Sequence, residues 1–274
     1  MKMKFSLLTL AAALAASVSI VGCSGSSSSS DDVIKIGVFE PLTGANGAGG
    51  ADEYDGIKLA NKLFPEVLGK KVELVVVDNK SDKVEAANAA TVLAQKEKVN
   101  AVLGSWGSSL SMAGGPIFAE AKIPAVAVSA TNPAVTQGNE YYFRVCFLDP
   151  FQGVVAATYA FDTLKAKKVA IIREVSNDYS VGLAKFFVDE FVKLTGDPNS
   201  IVATADYNTG DQDFSAQLKA AVPGTNITVS NTPCNIPDGF LLVYGGIDVN
   251  CTFASLFEAA GDTLQDLAGG MLFR

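Results

Sequence analysis

The sequence contains no histidine. Ser-His-Asp and Cys-His catalysis, histidine metal ligation and an imidazole proton shuttle are thereby excluded, leaving any catalysis to carboxylates, lysine or tyrosine. Cysteine is scarce. The four present, Cys23, Cys146, Cys234 and Cys251, stand at spacings that match no zinc or redox motif. Basic residues are also in short supply: 21 Lys and Arg face 29 Asp and Glu, for a net charge of −8. No cationic surplus exists to displace counterions from phosphates, which argues against a nucleic-acid partner. Tryptophan occurs once, at Trp106, and lysine stops at Lys219.

What the chain does have is apolar material, 49% of its 274 residues, enough for one large core or two moderate ones. The first stretch of it is set apart. Met1-Lys2-Met3-Lys4 is basic, residues 5–22 are uncharged and mostly apolar, and Ile20-Val21-Gly22-Cys23 leads directly into a Ser/Gly tract ending at Asp31-Asp32. Basic-then-apolar order with small residues before a break predicts a secretory signal over residues 1–22. The pattern ending at Cys23 resembles the lipobox of bacterial lipoproteins, in which that cysteine is lipidated. Residues 23–32 then read as a flexible tether. The competing reading is an uncleaved membrane helix, since the run approaches the ~20 residues a bilayer needs.

From Val33 onward, β-branched runs alternate with helical stripes. Strands are expected at 33–39, 72–77, 99–103, 123–128, 168–172 and 201–205. Helices are expected at 56–63, from an Asp82 cap to 95, and at 110–121, 151–164 and 180–194. Such alternation implies α/β architecture with parallel sheets and right-handed crossovers. Residues 141–145 break the rhythm and read as a crossing between two lobes. Ligands of open α/β sheets bind beyond the carboxyl ends of the strands, which directs attention to residues 37–50, 104–109, 129–133 and 174–180, all rich in small polar residues. Ser105 to Ser109 lie at a strand-to-helix turn whose free amides and helix dipole suit an anion. Thr131 or Asn132 can cap a second such turn, with Pro133 at its first helical position. Taken singly, each of these residues reads first as a plain cap; their clustering at one sheet edge weakens that reading.

Several stretches together resemble the periplasmic binding proteins of ABC importers for leucine, isoleucine and valine. They are 34–37 (IKIG) with 41–44 (PLTG), 102–105 (VLGS), 128–133 (VSATNP), 143–153 (FRVCFLDPFQG), 176–180 (SNDYS) and 209–215 (TGDQDFS). The resemblance implies a two-lobed type I fold, each lobe a mostly parallel sheet flanked by helices, with lobe 1 at 33–146 and lobe 2 at 147–274. It implies an amino-acid ligand held by Ser108 at its carboxylate, by Thr131 through amide and hydroxyl, and by the Ser129 carbonyl at its ammonium. Tyr179 would join from the second lobe, and Trp106 would line the side-chain pocket. An aromatic often found in the 44–50 loop is here Gly49, which leaves the preferred side chain open. Permease and ATPase subunits in the membrane are the implied partners, no cofactor or metal is implied, and the implied location is the cell envelope.

After residue 222 the text changes character. Residues 223–274 hold no lysine and two of the four cysteines, while 240–244 reads as a further strand and 255–260 as part of a helix. The family's later strands and its acidic ammonium ligand cannot be placed, so a truncated or frame-shifted second lobe is expected. A divergent ending with Cys234 paired to Cys251 is the alternative. Three other readings stay open: a ligand-sensing receptor of the same fold, a non-functional truncated copy, and an enzyme using Asp178 or Asp211, acids that otherwise serve as caps or turns.

Overall fold

The computed structural model describes residues 33–211, 213–221, 241–244 and 247–250. The expected signal, Cys23, the tether, Cys234, Cys251 and the 255–260 helix lie outside the described residues. The chain divides into two compact units, Met1–Thr209 and Gly210–Arg274.

In the first unit, valine- and isoleucine-rich runs form the strands of a six-stranded sheet ordered β2-β3-β1-β4-β5-β6. These are β1 (Val33–Glu40), β2 (Glu66–Val67), β3 (Lys70–Asp78), β4 (Ala101–Gly104), β5 (Ala125–Ala127) and β6 (Tyr142–Arg144). All neighbours pair in parallel except β2 with β3. Helices α1 (Gly47–Leu63), α2 (Lys83–Thr91) and α3 (Ser108–Glu120) make the crossovers. The core lies under α2 and α3, where Phe39, Leu93, Val102, Phe118 and Ala125 are buried together. Phe118 meets Phe39 edge-on at 5.4 Å and Tyr142 at 6.4 Å between ring centroids.

Two expectations are corrected. Residues 142–144 are not a bare crossing but the edge strand β6, paired with β5 from Ala125 opposite Tyr142 to Ala127 opposite Arg144. Helix α1 begins at Gly47 rather than at 56. Glycines in its first turn obscure the helical stripe, yet close packing demands them: a Cβ on Gly50 would lie 2.1 Å from the Pro41 carbonyl oxygen. Tertiary contact here overrides a propensity cost of about 1 kcal/mol per glycine.

The chain then enters α4 (Asp149–Thr158), β7 (Val169–Glu174), α5 (Asp178–Thr195) and β8 (Ile201–Tyr207). β7 and β8 pair in parallel, and a smaller core gathers Ala157, Ala160 and Phe191. Asn177 caps α5 by accepting the Tyr179 amide at 3.1 Å, as Asp82 caps α2 from Val84 and Glu85. In the second unit, the described parts are α6 (Ser215–Ala221), opened by the Asp213 carboxylate on the Ser215 amide, and β9 (Leu241–Tyr244). The latter falls at the expected strand but pairs antiparallel with β10 (Ile247–Asn250). Among the described residues, no helix is long and apolar enough to cross a membrane.

Candidate functional site

Strand order reverses between β1 and β4: the chain passes from β1 to β3 on one side, then returns to build β4, β5 and β6 on the other. A crevice must open at the carboxyl ends of those two strands, because their following loops diverge to opposite faces of the sheet. A cavity of about 640 Å³ lies there. Trp106, Ser108, Ser129, Thr131 and Tyr179 all line it, so the structure brings the five expected ligand residues to one place.

Each owes its position to the backbone around it. Gly104 ends β4 at φ +118°, and a Cβ there would lie 2.1 Å from the Phe39 carbonyl oxygen, so only glycine turns the chain so tightly against β1. Trp106 follows, its amide donating to Glu40 Oε2 at 2.7 Å. Its indole lies across Gly49, where a Cβ would meet Cε2 and Nε1 at 2.4 Å. Ser108 opens α3. The amides of Ser108 and Ser109 stand in the first helical turn with no intrahelical partner, leaving two donors and the positive end of the helix dipole at the cavity.

The second turn departs from expectation. Residues Pro133–Val135 form only a 3-10 turn, with the Asn132 side chain capping the Ala134 amide at 2.9 Å. The Asn132 amide is taken by Ser108 Oγ at 3.1 Å. The two turns therefore grip each other, and one helix terminus rather than two faces the cavity. Ser108 is 1% exposed; its oxygen accepts from the Asn132 amide, and a hydroxyl that accepts one bond can still donate its proton. Arg144 braces the same loop, its guanidinium donating to the Ala130 and Asn132 carbonyls at 2.7 and 2.9 Å. The Ser129 hydroxyl donates to Glu53. Thr131 lies beside Asp149 at the start of α4, where burial raises the Asp149 carboxyl while the Thr131 hydroxyl and Arg144 oppose the rise.

The far wall comes from α4 and α5. Tyr179 stands in the first turn of α5 and its hydroxyl accepts from Gln152 Nε2 at 2.9 Å; burial, and to a lesser degree Asp149, push its phenol up. The neighbouring Asp178 draws α5 onto the first sheet. Its carboxylate meets Lys83 Nζ at 2.8 Å, its amide donates to Ser109 Oγ at 2.9 Å, and its carbonyl accepts from Asn132 Nδ2 at 2.9 Å. Burial pushes the Asp178 carboxyl upward, but Lys83 and Ser109 outweigh it and hold the group below the usual range. Sequence reasoning missed Glu40, Glu53, Lys83 and Gln152. Glu40 carried a signal, an acidic residue at the end of an apolar strand beside the switch point. The others lie on helices whose facing the sequence did not set.

Comparison with known proteins places this geometry. The profile of the family described as periplasmic binding protein matches residues 33–229. A Leu/Ile/Val-binding protein homolog 1 of Brucella abortus is 32% identical over 209 residues, covering 74% of this chain and 54% of the relative. The crystal structure of leucine binding protein LivK of Thermotoga maritima superposes with a TM-score of 0.65 at 46% identity, covering 68% of this chain and 52% of that one. LivJ of Streptococcus pneumoniae, a branched-chain amino acid transporter substrate-binding protein solved with isoleucine, gives a TM-score of 0.62 at 35% identity, with coverages of 68% and 53%. The chain thus spans about half the length of the relatives it matches. Its mostly parallel sheet flanked by helices, its ligand-sized crevice at the switch point and the match over most of its length agree: this chain belongs to the periplasmic binding protein family.

Proposed function

We propose that this chain captures a branched-chain amino acid in the cavity between α3 and α5 and presents it to the permease of an ABC importer. The observation that carries the reading is the convergence of Trp106, Ser108, Ser129, Thr131 and Tyr179 on one cavity of ligand size at the switch point. An amino acid loses water at two charges when enclosed, so each end needs charge-assisted hydrogen bonds. In this reading the α3 amides, the Ser108 proton and Thr131 hold the carboxylate, the Ser129 carbonyl takes the ammonium, and Trp106 borders the side chain. Tyr179 supplies the contact from the second lobe. Residues 33–146 and those from 147 onward act as the two lobes, and contacts from both supply the differential affinity that closure requires, roughly 5 kcal/mol for a nearly complete shift. The names of the Brucella and Thermotoga relatives support the branched-chain class. The lipobox-like pattern at Cys23 supports attachment of the protein to a bacterial membrane by lipid, facing the periplasm or the exterior.

Calorimetric titration of the full chain with leucine, isoleucine, valine, lysine, aspartate and benzoate tests the proposal. Saturable binding of the three branched-chain ligands, lost in Ser108→Ala, is expected; binding of none of the three refutes it. For the anchor, Cys23→Ala should abolish acyl labelling, and labelling that persists removes that assignment.

A further inference from the structure

Behind the wall formed by Trp106 and Ser129, two carboxyl groups are enclosed together. Glu40, the last residue of β1, is fully buried; its Oε2 accepts the Trp106 amide at 2.7 Å, while among the described residues its buried Oε1 has no hydrogen-bond donor. Glu53, on α1, accepts the Ser129 hydroxyl on Oε1, and its buried Oε2 likewise has none. The two carboxyls lie within hydrogen-bonding reach of each other. A pair of carboxylates in such a place would set two acceptors and two like charges face to face in a low dielectric, which is strongly unfavourable. One proton between the unpartnered oxygens removes both defects, with Glu40 donating and Glu53 accepting.

We infer that Glu40 and Glu53 hold a single proton between them and act as one monoanionic positioning unit, Glu40 fixing Trp106 and Glu53 fixing Ser129 at the cavity wall. The groups packed around the pair fit this state. On β4, Gly104 leaves the room: a Cβ there would lie 2.5 Å from Glu40 Oε1. On β6, the buried Tyr142 turns its hydroxyl to the Gly104 carbonyl at 2.7 Å, and burial together with both glutamates pushes its phenol up. Cys146 follows β6, its thiol raised by burial and, more weakly, by Glu53 and Asp149, against the pull of Arg144. Among the described residues neither glutamate joins an ion pair. Burial first, then the charge of Glu53, push Glu40 up to about 10, and burial raises Glu53 as well. A consequence that rests on the proposed function is a fixed negative charge behind the Ser129 carbonyl, where the ligand ammonium would lie.

The test uses the full chain without ligand. Infrared spectroscopy at neutral pH should show a protonated-carboxyl stretch that moves in D2O and is absent in E40Q. That glutamine keeps the geometry, since its oxygen can accept from Trp106 and its amide can donate to Glu53. The emission of Trp106 should titrate in the wild type as pH rises toward about 10 and lose that step in E40Q. A wild-type spectrum without a protonated carboxyl, or an E40Q spectrum with an unchanged one, overturns the inference. Should E40Q fail to fold, E53Q replaces it by removing the anion that the proton bridges to, and an unaltered band again overturns the inference. None of these readouts needs a ligand, so failure of leucine to bind would refute the proposed function and leave the shared proton standing.

Discussion

Gly49→Ala and Gly56→Ala add the same methyl group to the same helix with opposite expected outcomes. At Gly56 nothing lies within 4 Å of the new carbon. The substitution should therefore stabilise by about 0.5–1 kcal/mol through helix propensity, which for a body of this size raises Tm by roughly 1–4 °C. At Gly49 the carbon would sit 2.4 Å from Cε2 and Nε1 of Trp106. The Trp106 backbone cannot retreat freely, because its amide is held by Glu40 at 2.7 Å, so the indole must turn. Overpacking of this kind costs about 1–3 kcal/mol, and a rotamer displaced by ~30° accounts for about 0.5–1.5 of that. Subtracting the propensity gain leaves Gly49→Ala between about neutral and 2.5 kcal/mol less stable. Denaturant unfolding measures that difference, and the emission maximum and near-ultraviolet dichroism of the chain's single tryptophan report the ring directly. Gly56→Ala should leave both spectra unchanged, whereas Gly49→Ala should shift them whatever its effect on stability. A Gly49→Ala protein with the wild-type tryptophan spectrum would show that the indole does not lie over that glycine, and the reasoning would fall.

Phe118→Ala removes the ring that bridges Phe39 and Tyr142 and should cost about 3–5 kcal/mol by denaturant midpoint; a loss below about 1 kcal/mol would contradict its place in the core. Ser108→Ala strips the buried Asn132 amide of its acceptor, an expected loss of about 1–3 kcal/mol on the same assay, and unchanged stability would mean the two turns do not depend on that bond. For Asp178 the sign is set by its lowered carboxyl: the ion pair with Lys83 stabilises above the ordinary aspartate range, and the contribution is lost as pH falls through the lower folded value. Lys83→Ala should flatten that acid-side dependence and speed amide exchange in the first turn of α5, while an identical acid profile would count against the tie. Asp78 behaves alike. Burial raises it, but the Thr43 hydroxyl and the Lys80, Leu42 and Thr43 amides outweigh burial and hold it low. Asp78→Ala should therefore be destabilised at neutral pH by an amount that shrinks below pH about 4, and a gap that widens on acidification would refute this sign.

The parts legible in the sequence were those written in local pattern. Valine-rich runs gave β1 and β3 away, and Asp82 announced the start of α2 because a capping side chain acts within its own turn. The loops that hold the five cavity residues could be located because each follows a strand end, where a parallel sheet puts its loops; the five residues themselves were named by resemblance to the family. The first turn of α1 was hidden, since its glycines answer to Pro41 and Trp106 rather than to helix propensity. Strand β6 was missed for a related reason: three residues at a sheet edge carry too short a pattern to announce a strand. The Glu40–Glu53 pair was out of reach altogether, because nothing at one position tells that a buried partner waits thirteen residues later on a helix not yet recognised.

The sheet is not equally firm across its width. β1 is stitched to β3 along its whole length, from Val33 opposite Lys71 to Glu40 opposite Asp78, whereas β5 is joined to β4 only at Val102 opposite Ala125 and Leu103 opposite Val126. Local opening is governed by how many such bonds must break together. The rim rising from β1 is accordingly the anvil of the cavity, and the rim carrying Ser129 and Thr131 is the softer jaw, held by the Arg144 brace more than by the ladder. Under the proposed function, small misfits between ligands of the same class would be absorbed on that softer side, so variants meant to retune selectivity should be sought along β5 and its loop before β1 is touched.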